Sequence, residues 1–192
     1  VASFVKCLQA AGDRIYVGDI SSGVYFIKYD VLLNRMSVIA EDSMKPRHMV
    51  SMDVLDFNTV AASDRFGNIF VLRGGDANGE SVPSVSKESI PKLETLCHYY
   101  TGEIVTSVKR AALITGGSEA IVYLTISGKI GSLLPIKTKS DLEFFTIVEG
   151  KLRMEESLRP VGREPNMYRS MYSPMKHVID GDLLELYASL DN

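Results

Sequence analysis

Over its first two-thirds the chain alternates short apolar runs with clusters of Gly, Asn, Asp and Ser. Val5 and Leu8, then Ile15 and Val17, belong to segments split by Gly12-Asp13, and Val24 to Ile27 follows the turn Ser21-Ser22-Gly23. Met36 to Ile39, an alternating Met49 to Leu55, and Thr59 to Ala62 come next; Ile69 to Leu72 follows the turn Arg65-Phe66-Gly67-Asn68. β-Branched and aromatic residues bounded by turn formers are the signature of strands. The pattern predicts a meander of antiparallel strands.

The meander repeats. A strand ending in Gly18-Asp19, a turn carrying Gly23 and a strand Val24 to Ile27 return as Ser63-Asp64, Gly67 and Ile69 to Leu72. They return again as Val122 to Ile126, Ser127-Gly128 and Ile130 to Leu134. Asp19 and Asp64 are 45 residues apart, the size of one four-stranded propeller blade. The step from Asp64 to Ser127 is longer by nearly the length of the polar stretch from Gly74 to Lys92, rich in Gly, Ser, Pro and charge. That stretch, 74–92, is read as a flexible insertion within a blade, because the strand pattern resumes at Leu93. The third unit is expected to run through Leu93 to Tyr100 and Ile104 to Val108, with Thr101-Gly102 as its turn. Gly116-Gly117-Ser118 precedes a strand and no Lys-Ser/Thr follows it, so a phosphate loop fails on context.

After Pro135 the period changes from two to about 3.6. Ser140 to Glu143 (SDLE) reads as a capping box, and Leu142, Phe145, Val148 and Leu152 mark one helical face with Phe144 beside it; Gly150 weakens the second half. Leu158 to Pro174 is punctuated by Pro160, Gly162, Pro165 and Pro174. Within it Met167, Tyr168, Arg169, Met171 and Tyr172 form a candidate partner-binding arm, since Arg, Tyr and Met are enriched at interfaces; packing onto the rest of the fold is the other reading. Lys176 to Asn192 predicts a closing helix with Leu183, Leu184, Leu186, Tyr187 and Leu190 as its buried stripe. Asp180 or Asp182 would accept first-turn amides, with Glu185 completing a box.

Composition narrows the function. With 192 residues the chain has room for a sizeable core, and 45% hydrophobic with 23% charged residues is ordinary for a globular protein. A net charge of −3 gives no bulk attraction to polyanions, so direct nucleic-acid binding through charge is disfavoured. The longest apolar runs, such as Ala120 to Leu124, are too short to span a bilayer. The first residue is Val1, and Val1 to Val5 already reads as strand, as expected of a sequence that begins mid-protein.

Candidate chemistry is sparse. Cys7 and Cys97 lie far apart in apolar-alternating segments and read as reduced core thiols, without the close partners that a zinc site needs. Asp180-Gly181-Asp182 has two carboxylates at a cation-gripping spacing but no third ligand nearby, so it is read as a cap and no metal or other cofactor is expected. His48, His98 and His177 are scattered among loop, strand and helix approach, and no Gly-x-Ser-x-Gly turn accompanies them. A non-catalytic protein is expected.

Motifs in order then carry a resemblance. Asp64-Arg65-Phe66-Gly67-Asn68-Ile69, Gly116 to Tyr123, Ser127-Gly128-Lys129-Ile130-Gly131, Arg169-Ser170 with Pro174, and Val178-Ile179-Asp180-Gly181-Asp182-Leu183 span nearly the whole chain. Together they resemble the C-terminal region of the large triple-propeller subunits shared by splicing factor 3b, the damaged-DNA-binding complex and the cleavage and polyadenylation specificity factor. The Ile-Asp-Gly-Asp-Leu end is common to that superfamily. The Asp-Arg-Phe-Gly-Asn turn and the Gly-Gly-Ser-Glu run are similar to the splicing branch in particular.

The resemblance implies a mainly β chain with a C-terminal α part. Residues 1–136 would be the last blades of a seven-bladed β-propeller, and residues 137–192 part of a small helical domain. It implies a nuclear, non-catalytic scaffold of splicing factor 3b in the U2 snRNP, supporting branch-site recognition in pre-mRNA splicing. Its partners would be a HEAT-repeat subunit and a small helical subunit, with the U2 particle engaged indirectly. An adaptor of a cullin-type ubiquitin ligase, of the damaged-DNA-binding kind, is the alternative. About three blade-sized units are too few to close a ring, so open strand edges would be completed by missing blades or another chain.

Overall fold

A computed structural model describes residues 4–42, 47–75, 90–155, 167 and 174–189. Among these described residues, eleven strands form three antiparallel sheets. The first holds β1 (Val5–Ala11), β2 (Arg14–Asp19), β3 (Gly23–Asp30) and β4 (Arg35–Glu41) in sequence order. The second holds β5 (Met49–Asp56), β6 (Thr59–Asp64), β7 (Asn68–Arg73) and β8 (Glu94–Tyr100), again in order. The third holds β9 (Val105–Ala112), β10 (Glu119–Thr125) and β11 (Ile130–Leu133). Consecutive meanders of this kind are consistent with propeller blades.

Period-two alternation explains how the sheets stack. In β6 and β7, Val60, Ala62, Phe70 and Leu72 face one core with Tyr16, Val24, Phe26, Met49 and Met52. Their neighbours Ala61, Ile69 and Val71 face a second core with Val105, Val108 and Tyr123. The middle sheet is therefore buried on both faces, which is why its strands read as continuous apolar runs. The first strands of successive sheets lie side by side and are stitched by side chains. Gln9 donates to the Met52 carbonyl at 2.9 Å and accepts from the Val54 amide at 3.0 Å, while Ser51 Oγ accepts from the Val108 amide at 3.0 Å and Asp53 from the Arg110 amide at 2.7 Å.

The repeated turn has a physical basis. Asp19 accepts from the amides of Phe4, Ser21 and Ser22 and from Ser21 Oγ, at 2.6 to 2.9 Å. Asp64 accepts from the amides of Phe66 and Asn68 and from Asn68 Nδ2. In the third sheet Thr125 takes this place, its Oγ1 accepting from the Lys129 amide at 3.1 Å as Asp64 accepts from Asn68 at 3.0 Å. The expected equivalent, Ser127, sits inside the turn instead. Gly67 is required here: its φ is +87°, and a Cβ would lie 2.7 Å from the Glu103 carbonyl oxygen.

Several expectations are corrected. Glu94–Tyr100 is the outer strand of the second sheet, paired with β7, so the third unit begins only at β9. The reason is register: Asn68↔Tyr100 to Arg73↔Glu94 places this strand where β4 stands in the first sheet. Thr101-Gly102 thus links two sheets. Of the polar stretch 74–92, residues 76–89 lie outside the described residues, but its ends are tied down. The Gly74 amide donates to the Asn58 carbonyl at 2.8 Å, and Lys92 forms a parallel bridge with Glu41.

The helix α1 spans Lys139–Met154, and its cap is Thr138, whose Oγ1 accepts from the Asp141 amide at 3.2 Å, rather than Ser140. Gly150 does not interrupt it. Its stripe is not a core face: Leu152 is buried and Val148 half-buried, but Leu142 and Phe145 are exposed. The closing helix α2 is a single turn, Gly181–Glu185, followed by a 3₁₀ turn at Leu186–Ser189. The tighter winding breaks the 3.6-residue stripe, so Leu183 is buried, Leu184 is half-buried, and Leu186 and Tyr187 are exposed. Leu190 lies outside the described residues. No helix among the described residues is long and apolar enough to cross a membrane.

Candidate interaction surface

The chain from Pro174 onward returns to the second sheet and fixes α1 against it. Lys176 pairs antiparallel with His98 on the open side of β8, with backbone bonds of 3.0 and 2.9 Å. Lys176 Nζ donates to the Thr95 carbonyl at 2.7 Å, and His177 Nδ1 lies 2.8 Å from the Leu96 carbonyl oxygen. His177 holds a left-handed φ of 50°, which turns the chain from this short strand toward α2.

A buried polar knot joins the two helices to the sheet. Glu149 on α1 and Asp180 before α2 are 6% and 3% exposed. Glu149 Oε1 accepts from the Asp180 amide at 3.0 Å and from Arg153 Nη2 at 2.8 Å. Tyr99 on β8 donates its hydroxyl to Asp180 Oδ1 at 3.3 Å. Asp180 is the backbone N-cap of α2 but makes no side-chain cap bond; its carboxylate serves the sheet contact instead. Asp182 pairs with Lys129 at 3.2 Å. The expected carboxylate cap is thus a carboxylate tether.

Above the knot lies a cleft of about 1160 Å³ between the second sheet, the third sheet, α1 and the returning chain. Leu133, Leu134, Ile136, Leu142 and Phe145 give it an apolar wall, and Arg110, Glu119 and His177 add polar points. On the other side of α1, Phe144 is 61% and Ile147 60% exposed. One narrow edge thus holds α1 while four of its large apolar side chains are exposed, which makes this face a candidate contact surface.

Other expected residues fall as follows. Met167 is 65% exposed; Tyr168, Arg169, Met171 and Tyr172 lie outside the described residues. Cys7 and Cys97 are free thiols, half-buried, and burial raises both above the usual thiol range, so neither is poised as a thiolate. His48 stacks edge-on against Phe66 at 5.3 Å, away from the other two; His98 is buried in β8, and His177 lies beside the same strand, against the Leu96 carbonyl. Among the described residues no group of three or more His, Cys, Asp or Glu is placed to hold a metal.

Glu149 escaped sequence reasoning. The signal was available: it falls in line with Phe145 and Leu152, so a carboxylate interrupts an otherwise apolar stripe.

The family profile described as "CPSF A subunit region" matches residues 1–189. The chain belongs to the CPSF A subunit region family. Among curated members, the chain is 39% identical to "Probable splicing factor 3B subunit 3" of Dictyostelium discoideum over 96% of its own length and 15% of that protein's. It is 38% identical to "Pre-mRNA-splicing factor RSE1" of Mycosarcoma maydis over 97% of its length and 16% of that protein's. For "Splicing factor 3B subunit 3" of Drosophila melanogaster the figures are 36%, 96% and 16%. The motif-level resemblance to the splicing branch of the CPSF A family is borne out. The chain spans about a sixth of the length of these relatives.

Proposed function

We propose that this chain is part of a non-catalytic protein–protein interaction scaffold of splicing factor 3b, acting in the nucleus within the U2 snRNP to support branch-site recognition. Residues 1–136 are read as the last blades of a seven-bladed propeller and residues 137–192 as part of a helical domain. The first and third sheets leave apolar residues such as Leu8, Met36, Leu124 and Ile130 exposed at the two ends of the stack, as an incomplete ring would. The splicing role rests on the names its relatives carry.

The observation that carries the scaffold reading is α1, anchored through Glu149 and Leu152 yet presenting Leu142, Phe144, Phe145 and Ile147 outward. In this reading its surface, with the arm at Met167, Tyr168, Arg169, Met171 and Tyr172, binds a HEAT-repeat subunit and a small helical subunit. RNA is left to neighbouring proteins, in keeping with the net charge of −3. The test is affinity purification of the full-length protein from nuclear extract, with co-purifying proteins identified and U2 RNA quantified. Recovery of a HEAT-repeat subunit together with U2 RNA supports the reading; recovery of a cullin, or of neither, overturns it.

A further inference from the structure

We draw no further inference here: the strongest candidate, the exposed apolar tip Val31-Leu32-Leu33 of the β3–β4 hairpin, shaped by the Asp30 carboxylate, carries none because nothing in the structure shows what covers it.

Discussion

The Asp180 amide donates to Glu149 Oε1 across 3.0 Å, in a site where both residues are almost completely buried. This single bond links the helix α1 to the segment that pairs with β8. Glu149→Ala would leave the Asp180 amide and Arg153 without that acceptor, and loss of a buried partner of this kind costs about 1–3 kcal/mol. Glu149→Gln keeps a carbonyl for the amide and should cost less. Amide exchange at Asp180 and Leu184 reads the difference: faster in Glu149→Ala, near wild type in Glu149→Gln.

The first and second sheets share a buried ion pair. Asp42 and Arg47 are 3% and 5% exposed; Arg47 bonds to both carboxylate oxygens of Asp42, and its guanidinium lies over the Phe70 ring at 4.1 Å from the centroid. Asp42→Ala would strand a charged guanidinium in the core, which costs about 3–5 kcal/mol. Denaturant unfolding should show this as a lower midpoint with unchanged slope.

Asp19 sets an acid limit on the first sheet. Burial alone would raise its pKa, but hydrogen bonds from Ser21, Phe4 and Ser22 overcome that and hold it at about 2. An unfolded Asp titrates near ~3.9. The folded value is the lower, so the stabilisation is present above about pH 4 and is lost as the pH falls through about 2, a change of roughly 2 kcal/mol. In Asp19→Asn this part of the slope should vanish. Urea midpoints measured from pH 5 down to pH 2 for the two proteins would show parallel curves if Asp19 did not contribute.

Two turn glycines should respond unequally to alanine. Gly67 and Gly128 both have φ near +90°, but a Cβ at Gly67 would meet the Glu103 backbone, whereas at Gly128 it meets open space. Gly128→Ala should cost only the left-handed penalty of about 1 kcal/mol, and Gly67→Ala clearly more. Thermal unfolding of the two variants side by side measures the gap.

Much of the β architecture was legible because turn chemistry and period-two alternation are local. Gly23, Gly67 and Gly128 announce the repeated hairpins directly. The assignment of Glu94–Tyr100 was not legible, since nothing local distinguishes the outer strand of one sheet from the first strand of the next; the register with β7 decides it. The helices show the converse. Leu142, Phe145 and Leu186 have the spacing of a core stripe, yet a sequence pattern reports amphipathicity and not whether the apolar face is covered. The Glu149, Asp180 and Tyr99 knot joins residues up to 81 positions apart and becomes visible only once β8 and Lys176 are paired.

The central claim is that the outward face of α1 is a binding surface, and Phe144→Glu with Ile147→Glu tests it most directly. Both side chains are more than half exposed, so the fold should survive, with far-UV circular dichroism and the unfolding midpoint unchanged. In the full-length protein, recovery of the proposed partners, a HEAT-repeat subunit and U2 RNA, should fall by about 10-fold or more, as expected when apolar anchors worth at least about 1.4 kcal/mol are replaced by charge. Undiminished recovery from a folded double variant would contradict the account.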